Sequence, residues 1–301
     1  MLQPANLPPT EWDAHRLNWG ERTYIMGILN ITPDSFSRDG LALADLTTEE
    51  VTRLAVERGL AMVAAGADML DVGGESTRPA TEGEAPLSAE VERARITPVI
   101  AALSRNLPSH ILISVDTYKA RVAEAALNAG AHLVNDVWGL RADPGLASLV
   151  AERGVPVIVM SNLRGQQRRD PLSDVMRALA GSVDVALDAG IAWNRIILDP
   201  GFGFGLRGEE NLEVLARLGE ISSLGRPLLV GVSRKAHIGM VLDAPVDDRL
   251  EGTAAEVALC ISRGADIVRV HDVRQMARVA RMSDAIVRGW RGYQQAAERA
   301  P

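Results

Sequence analysis

The chain has 301 residues, of which 47% are hydrophobic and 24% are charged, a composition typical of globular proteins with a sizeable core. Its net charge of −7 argues against a nucleic-acid-binding surface or a polybasic membrane patch, and it leaves an anionic small-molecule substrate open. We therefore expect neither a nucleic acid nor a membrane as a partner.

The chain begins with a segment that is rich in proline and charge and that lacks the apolar core of a signal peptide. We expect residues 1–20 to form an arm on or beside the main domain. No apolar run approaches the ~18 residues that a membrane-spanning helix needs. The one cysteine, Cys260, permits no disulfide within the chain, which fits a location in the reducing cytoplasm.

Eight short apolar runs recur along the chain, and segments with helical periodicity separate them. The runs span 24–30, 68–73, 111–115, 132–136, 156–161, 194–199, 227–232 and 266–271. Apolar residues at positions i, i+3, i+4 and i+7 follow several of the runs, in patterns that begin at Ile96, Val122 and Ala254. Each pattern gives one helix an apolar face, so the chain reads as alternating strands and helices.

Helix start signals agree with this alternation. They are a capping box at 47–50 and aspartate–proline pairs at 143–144 and 170–171. Alternating strands and helices predict parallel strands joined by crossover helices. Eight such units favour a closed (β/α)₈ TIM barrel, a single α/β domain over residues 21–291 with a C-terminal tail over 292–301. An open doubly wound sheet is the alternative.

Polar residues follow all eight predicted strands. In chain order these are Asn30, then Asp71 with Glu75-Ser76-Thr77-Arg78, Asp116, Asn135 with Asp136, Ser161 with Asn162, Asp199, Ser233-Arg234-Lys235, and Arg269 with His271 and Asp272. Chance would produce one or two such endings. Because the active site of such a barrel lies where strands end and helices begin, we expect the site at this rim.

Two glycine-containing motifs have several interpretations. The segment 201–205, GFGFG, has neither the spacing nor the opening of a dinucleotide-binding turn, and its glycines equally suit a tight strand–helix loop. The segment 231–235, GVSRK, is similar to a nucleophile elbow but lacks its final glycine. The five histidines show no metal-binding spacing, and one cysteine cannot form a cysteine-rich zinc site.

Cationic residues follow the second, seventh and eighth predicted strands, namely Arg78, Lys235, Arg269 and His271. Each alone is explained by a surface charge or an ion pair, but together they predict an anion pocket, for which arginine is well suited. Short carboxylate and amide side chains follow the third, fourth and sixth strands, namely Asp116, Asn135 and Asp199. They predict either helix caps or recognition of a flat, nitrogen-rich ring.

Seven motifs in sequence carry a family resemblance. They are MGILNITPDSFS (26–37), DVGGESTRP (71–79), SVDTYKA (114–120), NDVWGL (135–140), LDPGFGFG (198–205), GVSRK (231–235), and GTAA with RGADIVRVHDV (252–255 and 263–273). With these motifs the chain closely resembles the dihydropteroate synthase family of pterin-binding enzymes over nearly its whole length.

The resemblance implies a cytoplasmic transferase of folate biosynthesis that sulfonamides inhibit. Such an enzyme joins p-aminobenzoate to 6-hydroxymethyl-7,8-dihydropterin diphosphate and releases 7,8-dihydropteroate and pyrophosphate. It further implies Mg²⁺ as the cofactor that neutralises the leaving diphosphate, and a homodimer as the assembly.

Carried over residue by residue, the resemblance implies three subsites. The pterin would contact Asp116, Asn135, Met160, Asp199, Phe204 and Lys235. The diphosphate would contact Asn30, Thr77, Arg78, Arg269 and His271, with Asn30 also a ligand of Mg²⁺. Phe36, Thr77, Pro79 and Ser233 would surround p-aminobenzoate. The residues implied in catalysis are Asp116, Asp199, Lys235, Arg269 and His271.

The chain departs from the family pattern at three places. Ser161 stands where the family usually has histidine, Leu206-Arg207 stands where lysine and threonine are common, and Arg38 alters the first loop. Two other functions stay open: a pterin-binding paralogue without synthase activity, and a methyltetrahydrofolate-dependent methyltransferase on a related barrel. The second has no need of the motifs STRP (76–79) and SRK (233–235), both of which are present.

Overall fold

A computed structural model describes residues 7–32, 46–76, 86–167 and 169–290. Its first element is an antiparallel hairpin of β1 (Thr10–Trp12) and β2 (His15–Leu17). Eight further strands follow, and they are β3 (Tyr24–Asn30), β4 (Met69–Gly73), β5 (Leu112–Asp116), β6 (Leu133–Asp136), β7 (Val157–Met160), β8 (Ile196–Asp199), β9 (Leu229–Val230) and β10 (Ile267–Val270).

These eight strands form a parallel sheet in the order β8-β7-β6-β5-β4-β3-β10-β9. A single parallel bridge between Leu198 and Leu228 joins the two ends of the sheet and closes it into a barrel. The prediction of a (β/α)₈ barrel is therefore confirmed, and the open doubly wound alternative is wrong. The run predicted at 227–232 contributes only a two-residue strand at this closing seam.

Helices follow the barrel strands and form its outer layer. They are α1 (Thr48–Ala64), α2 (Ala89–Asn106), α3 (Ala120–Asn128), α4 (Pro144–Arg153), α5 (Pro171–Asp188), α6 (Gly208–Ala216), α7 (Ala236–Leu242), α8 (Leu250–Ser262) and α9 (Val273–Asp284). The predicted caps are present: Thr47 and Glu50 form the capping box of α1, and Asp143 and Asp170 accept backbone hydrogen bonds at the starts of α4 and α5.

The core lies between the strands and the helices and inside the barrel. The predicted apolar face of α2, which consists of Ile96, Val99, Ile100 and Leu103, is completely buried. Val137, Met160 and Phe204 form a second, small apolar cluster near the carboxyl ends of β6, β7 and β8, separate from the main core. No described helix is both long and apolar enough to cross a membrane.

The hairpin covers the amino ends of the barrel strands. Thr10 donates its hydroxyl to the carbonyl of Asn194, just before β8, at 2.5 Å, and Trp12 and Leu17 are buried in the main core. The segment predicted as an arm is thus packed against the barrel from residue 7 onward.

A buried ion pair, Arg288 with Asp284, also lies at the amino ends, and we call it the floor pair. Arg288 Nε donates to Asp284 Oδ1 at 2.8 Å, and its other nitrogens donate to the carbonyls of Gly20 and Ala265. The two oxygens of Asp284 also accept the backbone N–H and the hydroxyl of Thr23, at 2.7 and 2.8 Å. Every oxygen of this carboxylate has a partner.

Candidate active site

Four polar side chains meet inside the barrel near the carboxyl ends of β4, β5, β6 and β10, and we call them the inner cluster. They are Asp71, Asp116, Asn135 and Arg269. Arg269 Nε donates to Asp71 Oδ2 and its Nη2 donates to Asp116 Oδ2, both at 2.6 Å. Asn135 donates to the same oxygen of Asp71 at 2.9 Å. Asp71 therefore joins the arginine of β10 to the asparagine of β6.

Some polar atoms of the inner cluster lack hydrogen-bond partners. Asp71 Oδ1 and Asp116 Oδ1 are buried and have no hydrogen-bond partner. Burial raises the pKa of Asp116 to about 7, although the charge of Arg269 opposes the shift. For Arg269 the desolvation is outweighed by the carboxylates of Asp71 and Asp116, which raise its pKa and keep it charged. Buried acceptors without donors are rare in proteins, so these oxygens mark a place for a ligand that donates hydrogen bonds.

Lys235 and Phe204 form one wall of the site. Lys235 Nζ lies 4.8 Å from the centre of the Phe204 ring, and the guanidinium of Arg164 lies 4.4 Å from it. Burial lowers the pKa of Lys235 to about 8, against the attraction of Asp199. Phe204 belongs to the small apolar cluster with Met160, so a flat apolar face stands beside buried charges. This combination suits a planar heterocycle with polar edges.

Asp199 ends β8 and accepts the backbone N–H of Gly201 at 2.8 Å. Burial raises the pKa of Asp199 to about 6, while that hydrogen bond and the charge of Lys235 oppose the shift. Gly201 has φ +76°, and a Cβ there would meet the carbonyl oxygen of Ser161 at 1.9 Å; a Cβ on Gly205, at φ +98°, would meet Leu163 at 2.4 Å. The GFGFG segment therefore needs glycine for a tight turn, and the structure favours that interpretation over a dinucleotide site.

Ser233 and His271 meet at the carboxyl ends of β9 and β10. His271 Nδ1 lies 3.0 Å from Ser233 Oγ, and the backbone N–H of His271 donates to the same oxygen at 3.2 Å. Desolvation at the barrel mouth and the charges of Arg269 and Arg234 lower the pKa of His271 to about 4. His271 was predicted as a cation, but at neutral pH it is a neutral hydrogen-bonding group.

The structure also corrects the predicted position of Arg269. The sequence placed it in a cationic half of the mouth, apart from the carboxylates that recognise a ring. Instead, Arg269 contacts Asp116 directly, because side chains that point inward from non-adjacent strands meet inside the barrel. The two halves of the predicted site are continuous.

The side chains at the carboxyl ends of the strands can be compared with the ligands that Mg²⁺ needs. Among the described residues, no group of three histidine, cysteine, aspartate or glutamate side chains is placed to hold a metal ion. Asn30, at the end of β3, directs its side-chain oxygen toward Gly73, where an added Cβ would lie 3.6 Å away. One amide oxygen fits an ion that takes most of its ligands from water and substrate phosphates, as Mg²⁺ does.

Of the other predicted site residues, Phe36, Thr77, Arg78 and Pro79 lie outside the described residues. Of the departures from the family pattern, Arg38 also lies outside the described residues, whereas Ser161 and Leu206-Arg207 are described. The hydroxyl of Ser161 is buried and has no partner, and Leu206 is buried against the main core. Asp71 was noted among the strand ends but not assigned to the site, and no pattern in the sequence indicates that it links Arg269 to Asn135.

Comparison with known proteins agrees with this geometry. Residues 26–271 match the family model described as Pterin binding enzyme, and the chain belongs to this family. The curated relatives are dihydropteroate synthases, as the motifs predicted. Those of Clostridium beijerinckii and Bacillus subtilis are each 46% identical to the chain, over 91% and 90% of it and 98% and 91% of their own lengths.

Solved structures give the same result. A dihydropteroate synthase from Clostridium difficile, determined in the presence of pteroic acid, is 45% identical with a TM-score of 0.83, and the match covers 90% of this chain and 99% of that one. A dihydropteroate synthase from Xanthomonas albilineans in complex with 7,8-dihydropteroate is 35% identical with a TM-score of 0.80, and the match covers 98% and 100%.

Proposed function

We propose that the chain is a dihydropteroate synthase that joins p-aminobenzoate to 6-hydroxymethyl-7,8-dihydropterin diphosphate with release of pyrophosphate. The observation that carries the proposal is the inner cluster, whose unpartnered buried oxygens on Asp71 and Asp116 lie in a barrel of this family. A pterin ring presents several N–H donors on one edge, which is the chemistry that such oxygens accept.

The pterin is proposed to lie between the inner cluster and the apolar wall. Asp116, Asn135 and Asp199 supply acceptors and donors for its edge, and Met160 and Phe204 supply a flat face for its ring. Lys235, partly buried between Asp199 and Phe204, supplies a donor. The negative charges of Asp116 and Asp199 favour the electron-poor ring that forms as the carbon–oxygen bond to the diphosphate breaks.

The diphosphate is proposed to lie toward Asn30, Arg269 and His271, together with Thr77 and Arg78. Because Arg269 already bonds Asp71 and Asp116, its charge is held in place before substrate arrives, and a preorganised charge stabilises a leaving group without a reorganisation cost. His271, neutral at pH 7, donates or accepts a hydrogen bond. Asn30 would hold Mg²⁺, which supplies charge neutralisation of the leaving group when it is bound with the diphosphate.

p-Aminobenzoate is proposed to bind near Ser233, with Phe36, Thr77 and Pro79. Its amine is already a nucleophile, so the reaction needs no strong general base. The contact between Ser233 and His271 supports proposed aminobenzoate and diphosphate subsites that lie next to each other, which would suit direct attack on the carbon that loses the diphosphate.

A coupled assay for pyrophosphate release tests the proposal. We expect release only when both substrates and Mg²⁺ are present, and none in excess chelator, while the melting temperature of the ligand-free protein stays unchanged by chelation. Isothermal titration with the pterin diphosphate measures pterin binding separately, and so tests the alternative of a pterin-binding paralogue without synthase activity. Pterin binding without any pyrophosphate release would identify a pterin-binding paralogue and overturn the synthase proposal.

We further propose a homodimer and a cytoplasmic location. Apolar side chains are exposed on α7, on the loop after it and on α8, and they are Met240, Val241, Leu242, Val246 and Leu259. Exposed apolar groups of this kind mark interaction surfaces, and a second copy of the chain is the proposed occupant. Sedimentation of wild type and Val241→Glu tests the dimer. The free, buried thiol of Cys260 supports a reducing compartment.

A further inference from the structure

The loop that carries Ser233 and Lys235 has an unusual backbone. Arg234, between them, has φ +57°, which lies in the left-handed region that residues other than glycine, asparagine and aspartate rarely adopt. Such a conformation persists only where surrounding contacts hold it. The contacts that hold Arg234 therefore determine where its two neighbours in the site are placed.

The start of α8 holds the backbone of this loop. The N–H of Arg234 donates to the hydroxyl of Thr253 at 3.1 Å. Arg249, the residue before α8, donates from Nη1 to the carbonyl oxygens of Arg234 at 3.1 Å and Lys235 at 3.3 Å. Thr253 is completely buried, so its hydroxyl is fixed by the helix and acts as a rigid support.

The side chain of Arg234 makes a second connection, to the loop after β10. Its Nε and Nη2 donate to the two carboxylate oxygens of Asp272, at 2.9 and 2.5 Å. Both side chains are only about one-fifth exposed, at 21% and 19%. Asp272 directly follows His271, which contacts Ser233. A bidentate arginine–carboxylate pair has a fixed geometry, so this pair sets the distance between the two loops.

We propose that Thr253 and the Arg234–Asp272 pair are positioning residues that set the contact between Ser233 and His271. The inference rests on the proposed function, because it assigns these residues to the aminobenzoate end of the synthase site. These residues act on the site through the loop that carries Ser233 and Lys235. The hydrogen bond to Thr253 holds the peptide between Ser233 and Arg234, so its loss moves Ser233 more than it moves Lys235.

Steady-state kinetics on three threonine variants test the proposal. Thr253→Val keeps the shape of the side chain and removes one neutral hydrogen bond, so we expect the KM for p-aminobenzoate to rise about tenfold while the KM for the pterin diphosphate stays within twofold. Thr253→Ser keeps the hydroxyl and should restore the wild-type KM. Thr97→Val on α2 is the matched control, because the buried hydroxyl of Thr97 has no partner to lose; its KM values should stay at wild type.

The ring-nitrogen chemical shifts of His271 in the ligand-free protein give a readout that does not depend on catalysis. We expect them to change in Thr253→Val and in Asp272→Asn, and to stay at wild type in Thr97→Val. Asp272→Asn keeps the proposal testable if Thr253→Val does not fold. If wild type makes no dihydropteroate, the proposed function fails, and the His271 shifts alone decide the positioning role. The positioning role would be overturned by unchanged His271 shifts in both Thr253→Val and Asp272→Asn. A wild-type KM for p-aminobenzoate in folded Thr253→Val would overturn it as well.

Discussion

The floor pair and the inner cluster are both buried arginine–carboxylate groups, and they lie at opposite ends of one barrel. They differ in how many of their carboxylate oxygens have hydrogen-bond partners. In the floor pair both oxygens of Asp284 have partners, from Arg288 and from Thr23. In the inner cluster one oxygen each of Asp71 and Asp116 has none. The two groups thus contain the same kinds of charge but differ in the hydrogen bonding of their carboxylates.

The difference indicates which end of the barrel serves stability and which serves binding. A completely bonded buried pair fixes the structure, and removing one partner leaves an uncompensated charge. An incompletely bonded cluster lowers the stability of the empty protein and offers acceptors to a ligand. This agrees with the general division of such barrels into a stabilising amino-terminal face and a functional carboxyl-terminal face.

The largest effect is expected from breaking the floor pair. Asp284→Ala leaves Arg288 buried without its carboxylate, and we expect a loss of about 3–5 kcal/mol in the free energy of unfolding. At a temperature where the variant is folded, kcat/KM should stay close to that of wild type, because the pair is far from the site. Urea denaturation and the coupled assay measure the two quantities. A normal free energy of unfolding would show that complete bonding does not make this pair stabilising.

In the inner cluster the opposite result is expected. Asp116→Asn removes a charge from the proposed pterin subsite, and we expect kcat/KM to fall about 10²–10³-fold. The free energy of unfolding should change little, because the amide oxygen can still accept from Arg269, Asp71 still compensates the charge of Arg269, and a buried carboxylate with an unpartnered oxygen has been removed. Kinetics and urea denaturation on the same preparation check both. A strongly destabilised variant with wild-type activity would reverse the assignment of the two ends.

The pH dependence of kcat/KM tests whether the carboxyl-terminal end of the barrel is the functional one. Burial raises the pKa of Asp199 to about 6 and lowers that of Lys235 to about 8. In the proposed mechanism Asp116, whose pKa is raised to about 7, and Asp199 must be ionised and Lys235 must be protonated, so we expect kcat/KM to be highest between about pH 7 and pH 8. It should fall about tenfold per pH unit below 7, as Asp116 gains a proton, and more steeply below 6, as Asp199 gains one too; above 8 it should fall about tenfold per pH unit, as Lys235 loses its proton. Lys235→Arg should remove the alkaline fall; if it persists, another group titrates there.

The smallest effect is expected at the cap of α5, and it would show that proximity to the carboxyl-terminal face does not by itself make a residue functional. The side chain of Asp170 is 42% exposed and accepts the backbone N–H of Ser173 at 2.9 Å. Asp170→Ala should cost about 1 kcal/mol of stability and leave kcat/KM unchanged. Thermal denaturation with parallel kinetics measures this. A loss of activity larger than the loss of stability would assign Asp170 to the site.

Much of the fold was predictable because its signals are local. The caps at Thr47, Asp143 and Asp170 depend on neighbouring residues, and the apolar faces depend on a short period. The hairpin of β1 and β2 was not predicted, because two three-residue strands are too short for a recognisable alternation. Its turn places Asp13 at φ +45°, which the sequence does not indicate.

The site was predictable as a list of strand ends but not as a network. Asn135, Asp199 and Lys235 were recognised by position and by motif. The link from Asp71 to Arg269 was not, because these residues are 198 positions apart and meet only when the barrel closes. The lowered pKa of His271 likewise depends on desolvation and on cations brought near it by folding. Long-range contacts, not residue types, account for what the sequence left open.

The single bridge that closes the barrel has a consequence for its fluctuations. Between β8 and the two-residue β9, the bridge from Leu198 to Leu228 stands where other neighbouring strands share a longer ladder. Fewer hydrogen bonds mean a smaller free energy of local opening, so we expect amide hydrogen exchange to be faster along this seam than along β3 and β4. The seam separates Asp199 from the loop of Lys235, so we expect each opening to widen the proposed pterin subsite while the rest of the barrel stays folded.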